Sequence, residues 1–123
     1  MDKKEMKQQY KQAKFEAGVY MIKNLVNNRI FLGTTANIRS LNGVRFQLET
    51  GSHINPQLQE EFNEFGADKF SISVLEIFKE KENVEYTTKD KLDELKKIKH
   101  RLLKELKPFN DRGYHDEKEA EED

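Results

Sequence analysis

Alternation of apolar and polar positions is clearest over residues 17–33, AGVYMIKNLVNNRIFLG. Val19 and Met21 alternate with Tyr20 and Ile22, the period-two pattern of a half-buried strand. Asn27-Asn28 follows, and Asn tolerates the left-handed backbone of a tight turn. Arg29-Ile30-Phe31-Leu32 is a second β-prone run closed by Gly33, so the stretch predicts a hairpin. Before it, residues 2–14 are rich in Lys, Gln and Glu. With Met6, Tyr10 and Phe15 as a thin apolar stripe, they predict a short helix.

After the hairpin the period changes. Ile38, Leu41, Arg45 and Leu48 fall at helical intervals, predicting a helix over residues 37–49 that Asn42-Gly43 weakens or breaks. Asn55-Pro56 starts another helix, with Leu58, Phe62 and Phe65 facing inward and Gly66 ending it. Phe70, Ile72 and Val74 alternate and lead into Leu75 and Ile77, a third strand. Thr87 or Thr88 then caps a long last helix with Leu92, Leu95, Ile98, Leu102, Leu103 and Leu106 on one face. Pro108 stops it, and residues 110–113 form a turn. The core is expected to bury Phe62, Phe65, Phe70, Ile72, Val74, Leu95, Ile98 and Leu102. The fold class is α/β in the α+β sense: a small three-stranded sheet flanked by helices, in the order α-β-β-α-α-β-α. One domain is expected over residues 1–115.

Composition narrows the function classes. At 123 residues with 35% apolar content, the chain supports one modest core. It has no cysteine, which excludes disulfides, thiolate metal sites and thiol nucleophiles. No apolar run is long enough to cross a bilayer, and the basic N-terminus lacks the apolar stretch of a signal peptide. A cytoplasmic, bacterial-type protein is the plain expectation. The net charge of −1 conceals an asymmetry, because residues 116–123 carry six acids and one lysine. That tail, net −5, leaves +4 for the rest. It is expected to be disordered and solubilising, with the option of shielding a basic patch.

The basic patch itself is on the last helix. Lys96, Lys97, Lys99, Arg101, Lys104 and Lys107 crowd its C-terminal half, and Lys97, Arg101 and Lys104 form one helical row. Such a row can hold a phosphate backbone. It can also be an ordinary solvated face, with cations favoured near a helix C-terminus. His53, His100 and His115 are too scattered in sequence to suggest a metal site.

Gly18-Val19-Tyr20 followed by Phe31-Leu32-Gly33 resembles the paired signature of the GIY-YIG nuclease superfamily. The likeness continues through LETGSHINPQLQEEFNEFG, FSISVLE and LLKELKPFNDRGYH, from Gly18 to about Tyr114. The resemblance implies a three-stranded sheet flanked by helices, and a metal-dependent enzyme that hydrolyses a DNA phosphodiester. It implies a tyrosine in each tripeptide, an arginine on the next helix, a glutamate on the last helix holding a divalent cation, and an asparagine near the C-terminal turn. These parts stabilise charge on the phosphate and activate water.

Carried over by position, the match fails at this chemistry. Tyr20 fills the first tyrosine position, but the second is Phe31, which has no hydroxyl. Leu41 stands at the arginine position, Lys99 at the glutamate and His115 at the asparagine. Arg45, one turn beyond Leu41, is the one substitute within reach. Without the resemblance, Tyr20 and Phe31 are ordinary cross-strand aromatics and Gly33 ends a strand. The sequence therefore points first to a degenerate member, a pseudo-enzyme that binds DNA through Lys97, Lys99, Arg101 and Lys104. No resident cofactor or metal is expected. One alternative is an active endonuclease using magnesium or manganese with Tyr20 and Arg45; another is a protein-interaction module.

Overall fold

The computed structural model describes residues 16–121; the helix predicted over residues 2–14 lies outside them. Strands β1 (Gly18–Asn24) and β2 (Ile30–Thr35) form the predicted hairpin, with Tyr20 opposite Gly33 and Ile22 opposite Phe31. The Asn24 N–H donates to the Arg29 carbonyl at 2.9 Å to close the turn. Asn28 takes a φ of 63°, and the Asn27 side chain accepts the Arg29 N–H at 3.0 Å. A short polar side chain that tolerates φ > 0 suits both positions.

The helix expected over residues 37–49 is split. Asn37 accepts the Arg39 N–H at 3.0 Å and caps a 3-10 turn, Ile38–Ser40. Helix α1 (Asn42–Glu49) begins after Leu41. The weak pair Asn42-Gly43 thus sits in the first turn rather than mid-helix. Helix α2 (Pro56–Phe65) starts as predicted: the Asn55 side chain accepts the Leu58 N–H at 2.9 Å. Strand β3 (Phe70–Ile77) adds to the far side of β1, giving the antiparallel order β2-β1-β3. Helix α3 (Thr88–Leu106) opens on a reciprocal capping box between Thr87 and Asp90.

The sheet is covered on both faces. On one, Tyr20, Ile22 and Phe31 pack with Leu48, Leu58, Phe62, Phe70 and Tyr114. On the other, Val19 and Leu32 pack with Leu102 and Leu103 of α3. Apolar residues at both parities of β1 are what covering both faces requires, and β1 is covered on both, with Met21 and Lys23 only partly buried. Phe62, Phe70, Leu95 and Leu102 are buried as expected, whereas Phe65, Ile72 and Ile98 are only partly so.

Val74 departs from expectation at 38% exposed. It lies on the outer strand, where the β1–β3 register shifts beside Tyr20. Phe62 of α2 covers β3 at its other end, with its ring centroid 5.2 Å from that of Phe70.

Within the tail, Lys118–Glu121 form a helical turn, α4. The Asp116 carboxylate accepts the Lys118 N–H at 2.9 Å. Ala120 packs onto the cluster of Val19, Leu32 and Leu102.

Candidate functional site

The two signature tripeptides meet through Tyr20. Its ring lies across Gly33, where an added Cβ would collide with the ring carbon bearing the hydroxyl and with the hydroxyl itself. Gly33 is therefore required by the opposing ring, beyond any part in ending a strand. At Gly18 a Cβ would come within 2.6 Å of the Glu76 carbonyl on β3, so backbone proximity demands that glycine. Burial pushes the Tyr20 hydroxyl above its ordinary value, which keeps it a neutral donor near pH 7.

Phe31 sits in an aromatic sandwich. The His115 ring stacks on it with centroids 5.0 Å apart and planes 14° apart, and His53 meets it edge-on at 5.0 Å. Two of the histidines that looked scattered in sequence are thus brought to one ring. His115 Nε2 accepts the Leu32 N–H at 2.8 Å, and Nδ1 faces Glu119 at 2.7 Å. Because Nε2 is an acceptor, the neutral ring carries its proton on Nδ1. Next to it the Tyr114 N–H donates to the Ile30 carbonyl at 3.1 Å. The segment 113–115 therefore closes the outer edge of β2, which would otherwise offer unpaired groups. Burial holds the His115 pKa below its ordinary value against the pull of Glu119, and the nearby Lys99 charge lowers it further. Burial likewise lowers His53, whose Nδ1 accepts the Asn55 N–H at 3.0 Å.

Leu41, partly buried, packs against the apolar cluster that contains Tyr20 and Phe31, so the position implied for a cation faces an apolar surface. Arg45 is half-buried one turn further along α1. The predicted cationic row on α3 is largely neutralised. Arg101 grips both carboxylate oxygens of Glu76 and also bonds Glu105 at 3.3 Å. Lys97 pairs with Glu94 at 3.3 Å. Within that row, Lys104 alone lacks a carboxylate partner among the described residues. Counting charges along the helix missed Glu76 because it comes from β3. At 100° per residue Lys96 and Lys99 lie off that row, Lys107 is the left-handed cap that follows α3, and Lys99 is the one that acts on His115.

The donor set does not fit a divalent cation. No group of three or more His, Asp or Glu among the described residues is placed to hold one. Both nitrogens of His115 are engaged, and Lys99 brings positive charge to the position implied for a carboxylate ligand.

One cluster went unnoticed in the sequence. The Glu61 carboxylate accepts from Asn24 at 3.0 Å, Asn27 at 2.7 Å, Tyr114 at 3.0 Å and Arg29 at 2.7 Å. Burial works to raise this carboxyl, but the hydrogen bonds and the Arg29 charge outweigh it and hold it below the ordinary value. The cluster ties the segment carrying His115 to the hairpin and to α2. Its signal was Asn24, a polar residue continuing the inward parity of Tyr20 and Ile22, and it is fully buried.

No family model and no curated protein matches the chain. Solved structures similar to it include the catalytic domain of homing endonuclease I-TevI. That domain is 29% identical with a TM-score of 0.59, over 80% of this chain and 95% of that one. A variant of the catalytic domain of intron endonuclease I-TevI gives 28% identity and a TM-score of 0.62, over 82% of this chain and 93% of that one.

Proposed function

We propose that this chain, whose fold is GIY-YIG-like, is a nuclease-like domain that binds DNA with cleavage weak or lost. The observation that carries the loss of cleavage is the surroundings of Phe31. A phenyl ring without a hydroxyl is stacked on a histidine whose two nitrogens are both engaged. An ammonium, Lys99, acts on that histidine, and Leu41 faces an apolar surface.

DNA binding is supported by the likeness to homing endonuclease domains and by cations that have no carboxylate partner among the described residues. The surface we assign is that of Lys96, Lys99 and Lys107, in preference to the row that Glu76 and Glu94 neutralise. Each phosphate contact contributes about −0.9 to the slope of log affinity against log salt. Replacing Lys96, Lys99 and Lys107 with Ala should weaken binding to a short duplex and reduce that slope by about 2–3. Replacing Lys97 and Arg101 should change it little. Salt-insensitive binding, or equal losses in both variants, would remove this surface. Robust cleavage of a duplex with magnesium or manganese, abolished by Tyr20→Phe, would favour the active-enzyme reading that uses Arg45.

A further inference from the structure

We propose that the acidic tail is a built-in competitor for the phosphate backbone, docked on the site through Glu119 and His115. This rests on the DNA-binding reading above. His115 stacks on Phe31, feels the charge of Lys99, and holds the Glu119 carboxylate at 2.7 Å. Ala120 packs with Leu102 and Leu103 of α3, so a phosphate drawn to the Lys99 side of that helix would meet the tail, whose Glu119 carboxylate is held beside His115.

Three contacts fix the tail there. The Asp116 N–H also donates to Glu119 at 3.2 Å, Asn110 donates to Glu117 at 3.1 Å, and Ala120 inserts among the apolar side chains beneath α3. The open groove of about 750 Å³ beside His115 is lined by Asp116 and Glu117 as well as Arg29. The carboxylates of residues 116, 117 and 119 thus stand where they repel a polyanion. Glu119 is itself half exposed, at 46% for the side chain. The lock is therefore one that a strongly charged ligand can displace.

The cost to a ligand is set by the fraction of molecules with the site free: apparent affinity falls in proportion to that fraction. A tail docked in about nine-tenths of the molecules would weaken binding about tenfold. Two variants test this against a short random-sequence DNA duplex at low salt. One is deletion of residues 116–123; the other is Glu119→Ala, which keeps the full chain and removes the His115 contact. Both should tighten binding, by about tenfold and severalfold respectively, and the gain should shrink as added salt screens the carboxylates.

Hydrogen exchange gives an independent readout on the unmodified chain. Adding the duplex should speed exchange at the Ala120 and Glu121 amides. If the full chain and both variants bind equally well, the competitor proposal is overturned while DNA binding stands. Tail amides whose protection is unchanged at saturating duplex would overturn it as well. If neither the full chain nor the variants bind, the DNA-binding reading falls and takes the competitor with it.

Discussion

His115, at the position where the resemblance implies an asparagine, is a structural acceptor for the Leu32 N–H. That role has a pH consequence. His115 and His53 titrate near 6.5 in an unfolded chain and lower in the fold. Between the two values only the unfolded chain holds the proton. Their contribution to stability is full above about pH 6.5 and is lost as the pH drops below it. Glu61 adds a second stage, because its folded pKa also lies below its ordinary value of 4.5. What it contributes is present above that value and lost as the pH falls further. Urea midpoints measured from about pH 8 to 3 should therefore decline in two stages, and His115→Asn with His53→Asn should flatten the upper one. A flat upper stage in the unmodified chain would refute the assignment. Glu61→Ala leaves Asn24 and Arg29 without their buried acceptor and should cost about 3 kcal/mol at neutral pH.

Among the elements, β3 separates what is anchored from what is not. Phe70 is 5% exposed and meets Phe62, while Val74, four residues along, is 38% exposed. Phe70→Ala should cost about 3–5 kcal/mol. Val74→Ala should cost about 1 kcal/mol or less, because little of that side chain is removed from water. Equal losses in a denaturation series would show that the outer end of β3 is covered in solution. The same strand supplies Glu76, which engages Arg101 and takes it out of any phosphate-binding row.

For the whole molecule the question is whether the implied metal site can be built in. Phe31→Tyr, Leu41→Arg and Lys99→Glu together recreate the implied donor set, and single reversions should do little because such residues act as a unit. The fold adds two conditions. Leu41→Arg must turn a cation out of an apolar cluster, and Lys99→Glu exchanges a charge that disfavours the His115 imidazolium for one that favours it. The triple variant is expected to gain divalent-ion binding, measurable by calorimetry, with weak duplex cleavage at most. The unmodified chain should show neither. Metal binding by the unmodified chain comparable to that of the triple variant would refute the loss assigned to Lys99.

Local chemistry determined much of this protein on its own. Two Asn residues set the hairpin turn, Asn55-Pro56 and Thr87 set helix starts, and period-two and period-3.6 patterns set the strands and the last helix. These depend on backbone preferences and on which side chains avoid water, and both are written within a few residues. The signature glycines and Tyr20 were legible as a motif, though the steric reason for Gly33 needed the strands paired. What tertiary structure decided involves partners far apart in sequence. Glu76 neutralises Arg101, Leu41 seals a position the motif reserves for a cation, and Glu61 gathers donors from the hairpin and from Tyr114. His53 and His115 meet on Phe31, and Glu119 of the tail comes beside His115. Pairing of charges and burial of polar groups depend on distances in space. A chain of residue types does not state those distances until the sheet and its helices have fixed them.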